Sequence, residues 1–166
     1  MSSVNPGIDD RTVAYVIATQ PVFDDLRQVA AQVAGMLVLF ATGSKTAAPD
    51  HPLLTTASQL FDQAADAVAR VHSPAGDGAR SHHVALARAA SSLREALAAT
   101  RRELGKPGIA ADLDAPLVPL RHAYDCLQHA ASALPGFQMV AFEQGCCGAG
   151  RTSATWTRQA STQADY

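Results

Sequence analysis

Leu113-Asp-Ala-Pro-Leu-Val-Pro-Leu-Arg-His-Ala-Tyr-Asp-Cys-Leu-Gln-His-Ala-Ala-Ser-Ala-Leu134 is the stretch whose periodicity decides the fold. Leu113, Leu117, Leu120, Tyr124, Leu127, Ala131 and Leu134 recur by threes and fours, which places them on one face of a helix. Asp114 and Pro116 open that helix, and Pro135 with Gly136 closes it.

Three further segments upstream carry the same period, separated by strong breakers. The spacing predicts a third helix that begins after Asp77 or Ser81 and lines up His83, Leu86, Ala90, Leu93, Leu97 and Leu104 before the Gly105–Gly108 break. A second helix is expected from near Asp50, with Pro52 in its first turn and Leu53, Ala57, Leu60, Ala64, Val68 and Val71 on its face. The first is expected from about Pro21 to Ala41, with Gly43 as its stop. Short connections make consecutive helices antiparallel, so the expected fold is all-α, an up-down bundle of about four helices.

Two short stretches are ambiguous. Thr12–Ala18 (TVAYVIA) is β-branched and reads as a strand or as an extra helical turn kinked at Pro21. Phe137–Phe142 (FQMVAF) is similar, and the up-down order would bring both to one end of the bundle, where a two-stranded ribbon is conceivable. Residues 1–144 are expected to form the bundle domain. Residues 145–166, rich in Gly, Ser and Thr around a Cys-Cys pair, are expected to be a flexible tail.

Composition excludes several function classes. Lys and Arg total 13 against 15 Asp and Glu, and the pI is near 6.3, so there is no basic footprint for nucleic acid or an anionic membrane. The longest apolar run, Val29–Ala41, is interrupted by Gln32 and falls short of the roughly 20 residues that span a bilayer. It lies too far from Met1 for a secretory signal, which makes the cytoplasm the expected compartment. Three cysteines without regular spacing point to reduced thiols rather than a disulfide framework. Only Glu95, Glu103 and Glu143 are available as glutamates, and none has a histidine three residues on, so a carboxylate-bridged di-iron site is excluded.

The chemistry that remains is carried by histidine and cysteine. On the fourth helix, Val118, His122, Cys126, His129, Ala130 and Ala133 stand roughly opposite the leucines, a second small apolar face interrupted by a His–Cys–His set. Covered by another copy of the chain, this face would make the protein a non-catalytic binding or assembly module, a homo-oligomer. The H-x3-C-x2-H spacing also aligns three potential ligands for Zn²⁺ or Cu⁺. Antiparallel order gathers His72, His82, His83, His129, Cys146 and Cys147 at the same pole, and the candidate metal ligands are therefore His82, His83, His122, Cys126, His129, Cys146 and Cys147. A third reading takes Cys126 as the thiolate of an enzyme, with His122 or His129 one turn away as base.

Overall fold

The computed structural model describes residues 10–107 and 110–134, and the backbone of 137–139 and 156–158. The described residues form four helices: α1 (Asp10–Ala41), α2 (Pro52–Arg70), α3 (Asp77–Leu104) and α4 (Asp114–Ser132). Arg101, near the end of α3, donates to Ser58 and to the Leu54 carbonyl at the start of α2, whereas His83, at the start of α3, donates from Nε2 to the Val68 carbonyl at the end of α2. Ser81 at the start of α3 touches His129 at the end of α4, and Tyr15 at the start of α1 touches His82. Neighbouring helices therefore alternate in direction around a shared core. Among the described residues no helix is long and apolar enough to cross a membrane.

The starts of α2 and α3 follow local rules. His51 caps α2 by accepting the Leu53 N–H at Nδ1 (3.1 Å), and Pro52 follows where no N–H is needed. Gly76 turns the chain into α3 with φ of +135°, a conformation that side chains with a Cβ resist.

α1 departs from expectation, since it begins at Asp10 and runs through Pro21. Thr12–Ala18 is thus helical despite its β-branched residues. Two features explain this. Tyr15 and Val16 are buried in a satellite cluster with Ala79 and Leu134, so tertiary packing outweighs weak helix propensity. Pro21 is exposed, and the Ile17 carbonyl it leaves without a helical donor belongs to a residue that is itself largely exposed.

Because 12–18 is helical, it forms no ribbon with 137–139, and residues 140–142 of the second ambiguous stretch lie outside the described residues. Phe137–Met139 (β1) instead pairs antiparallel with Trp156–Arg158 (β2), in the register Phe137 to Arg158 and Met139 to Trp156. The rest of the stretch expected to be a flexible tail, including Cys146 and Cys147, lies outside the described residues.

The core is built from Phe23, Leu26, Val29, Val33 and Met36 of α1, with Leu54, Leu86, Leu93 and Leu127 from the other helices. One buried anion closes the bundle at the far pole. Glu103 accepts from Lys106 Nζ (2.8 Å) and from the Asp112 backbone N–H (2.8 Å), which ties the end of α3 to the connection entering α4. These two hydrogen bonds hold its carboxyl below the usual carboxylate range. A carboxyl depressed in the folded state stabilises above its unfolded pKa, and that contribution is lost as pH falls through the folded value. Glu103→Gln should therefore lower the melting temperature at neutral pH, with the gap to the parent chain closing as both are acidified. A thermal melt series across pH checks this.

Candidate functional site

α4 presents two apolar flanks, of which the chain covers the first fully and the second in part. The leucine flank faces the main core. On the other flank Cys126 and Ala130 are buried, and Ala85 of α3 lies beside Cys126 at the seam between the two helices. Val118, His122 and His129 sit farther round the helix and stay exposed.

The seam between α3 and α4 carries two recesses on its outer side. The first, about 220 Å³, is lined from α3 by Ser81, Val84 and Arg88, and from α4 by Asp125, Cys126 and His129. The second, about 570 Å³, is lined by Glu95, Ala98 and Arg102 of α3 and by Asp114, Ala115 and Val118 of α4. Two of the large apolar side chains left in solvent border these recesses, Val84 at 42% and Val118 at 66% exposure. Each recess sets an arginine on α3 against an aspartate on α4.

The candidate ligands occupy one end and the middle of this architecture, but they point apart. His82 is fully buried, with Nδ1 2.8 Å from Tyr15 Oη and the two rings edge-on at 5.4 Å. Burial, reinforced by the neighbouring His83, pushes its pKa down to about 4, so the ring is neutral and Nδ1 accepts from the phenol. Burial in turn pushes the Tyr15 phenol up, which keeps it a donor. His83 is turned toward α2 by its bond to Val68 (3.2 Å). His129 Nε2 lies 2.9 Å from Ser81 Oγ. Among the described candidates, only His122 and Cys126 face each other, with Nε2 and Sγ 3.7 Å apart.

Successive helix residues are rotated by about 100°, so a shared pole does not make a shared centre. Among the described residues no three His, Cys, Asp or Glu side chains converge as a metal site requires. His72 is exposed, and Cys146 and Cys147 lie outside the described residues.

Cys126 is 8% exposed, and burial pushes its thiol up, with Asp125 adding to the shift and Arg88 opposing it. That is the opposite of the depressed pKa that makes a thiol a nucleophile. Sequence reasoning missed Tyr15, Ser81, Arg88 and the use of Asp125. The available signal was the charge pattern: Arg88 and Arg102 lie fourteen residues apart on α3, four turns on one side of the helix. Comparison with protein-family models, curated proteins and solved structures gave no match to this chain.

Proposed function

We propose that this protein is a non-catalytic helical-bundle binding and assembly module that acts through the outer α3–α4 face and pairs there with a second copy of itself. The observation that carries this reading is the charge pattern of the two recesses, Arg88 with Asp125 in one and Arg102 with Asp114 in the other, beside exposed Val84 and Val118. In a two-fold assembly the same patch meets itself. With the axis parallel to the helices, α3 of one copy lies on α4 of the other at equal height. Arg88 then meets the partner's Asp125, Arg102 meets the partner's Asp114, and the two valines are covered.

A formal net charge of −2 gives this face no general attraction for polyanions, which favours self-pairing over nucleic acid. The cytoplasm, where Cys126 stays reduced, is the compartment that suits it. The raised thiol of Cys126 leaves a cysteine-dependent enzyme as the least supported alternative.

The test is sedimentation equilibrium on the full chain with a charge swap. Arg88→Glu sets a carboxylate against the partner's Asp125 and should weaken the dimer by about tenfold or more, while Arg88→Glu with Asp125→Arg restores it. A chain that is monomeric throughout the concentration range, or a dimer indifferent to Arg88→Glu, overturns the proposal.

A further inference from the structure

We infer that α1 has two alternative starts: its N-terminal part, residues 10–20, is an arm that unlatches from the bundle as a unit and leaves a shorter helix beginning at Pro21. This does not depend on the self-pairing proposed above.

Packing divides α1 where its hydrogen-bond ladder is weakest. On the N-terminal side Tyr15 and Val16 are buried with Ala79 and Leu134, beside half-buried Val13 and Val71, in a cluster that is separate from the main core among the described residues. The main core takes up α1 again at Val22 and Phe23. Between the two lies Pro21, which has no N–H to give the Ile17 carbonyl. Thr19 adds to the weakness, since its hydroxyl donates to the Tyr15 carbonyl (2.9 Å) and to the Val16 carbonyl (3.3 Å), and such back-bonding slightly destabilises and bends a helix. A break in packing and a break in the ladder thus coincide.

The residues that hold the arm lie at one pole of the bundle. Val71 follows α2, Ala79 and His82 stand in the first two turns of α3, and Leu134 follows α4. Tyr15 Oη latches the arm there by donating to His82 Nδ1 (2.8 Å). Letting go uncovers this small cluster and leaves the main core closed. Freed of its packing, so short a segment does not persist as a helix, because isolated helices below roughly 12–15 residues are marginal in water. The arm therefore unwinds as it leaves.

The helix that remains is well formed at its new end. Pro21 becomes its first residue, where the fixed φ of proline is favoured and the missing N–H costs nothing. Asp24 stands in the new first turn and Asp25 just after it, charges of the sign that suits the positive end of the helix dipole. The sequence thus carries a start signal at Pro21, and tertiary packing selects the longer helix over it.

Native-state hydrogen exchange on the full chain at neutral pH, with every amide corrected for its intrinsic rate, tests this. The amides of residues 15–20 should share one opening constant with those of Val22, Phe23 and Asp24, whose helical acceptor carbonyls lie in the arm. That constant should exceed the one for amides 26–37, which lie in the main core, by about tenfold or more. Pro21→Ala, an exposed substitution that restores the missing hydrogen bond, should lower the arm's opening constant by about tenfold or more.

Three results overturn the inference. Protection that climbs residue by residue from 15 to 24 is ordinary end fraying. Amides 15–20 that open only together with 26–37 make α1 a single unit. A Pro21→Ala chain whose arm opens as readily as the parent's removes the hinge.

Discussion

Acidification from about pH 6.5 to about pH 4 is expected to cost the folded protein roughly 3 kcal/mol through His82, at about 1.36 kcal/mol for each pH unit between its unfolded and folded pKa values. The folded-state pKa lies below the unfolded one, so between these two values the unfolded chain binds the extra proton and stability rises with pH. The contribution is fully present above the unfolded value and is exhausted once pH falls below the folded one. Its origin is structural, because the imidazole is fully buried and its Nδ1 is used as the acceptor for Tyr15. A proton on that nitrogen would set two donors against each other in an apolar cluster of Val16, Ala79 and Leu134.

Asp24 acts in the opposite sense over part of the same range. Burial pushes its carboxyl up to about 6, against the pull of Arg27, so it disfavours the folded state as pH rises through the ordinary carboxylate value. The His82 contribution is therefore isolated by a difference. Urea unfolding across pH should show that the slope of stability against pH is more positive in the parent chain than in Tyr15→Phe with His82→Phe, by about 1.36 kcal/mol per pH unit between the two His82 values, since Asp24 contributes equally to both chains. At neutral pH that double replacement should be close to neutral, because both polar partners are removed together. Tyr15→Phe alone leaves a buried acceptor unpaired and should cost about 1–3 kcal/mol. Equal slopes for parent and double variant would remove His82 from the account.

Leu127→Ala is the second large effect, expected at about 2–5 kcal/mol. Leu127 is fully buried where the leucine flank of α4 enters the main core, so its truncation loses transfer energy and opens a cavity that rigid helices fill only in part. Nine residues earlier on the same helix, Val118 is 66% exposed, and Val118→Ala should change monomer stability by no more than about 0.5 kcal/mol. Urea midpoints measured at a concentration below pairing make the comparison direct. A Leu127→Ala chain as stable as the Val118→Ala chain would mean that α4 is not docked on the core as described.

The candidate site was legible only in outline. H-x3-C spacing on a helix put His122 and Cys126 on adjacent turns, and the structure holds them 3.7 Å apart. The same reasoning could say that His82, His83 and His129 share a pole but not where each ring points, because that depends on which neighbour occupies each side of the helix. Tyr15 takes His82 inward, Val68 takes His83 toward α2, and Ser81 takes His129 outward. The second apolar flank of α4 was visible as a pattern, yet its occupant was not. Within the chain Cys126 and Ala130 are covered, whereas Val118, His122 and His129 stay exposed.

Taken by itself, the order of amino acids determined what is local and periodic. The spacing of leucines and alanines, the Pro52 and Gly43 boundaries and the break at Gly105 are enough for four helices, since each signal acts within a turn or two of chain. Tertiary structure alone decided the rest. It kept Thr12–Ala18 helical across Pro21, because burial of Tyr15 and Val16 outweighs propensity. It paired β1 with Trp156–Arg158 rather than with the first segment, and it set Arg88 and Asp125 in one recess and Arg102 and Asp114 in another across the seam between the consecutive helices α3 and α4. Such contacts depend on which faces meet, and that is settled by packing the whole core at once.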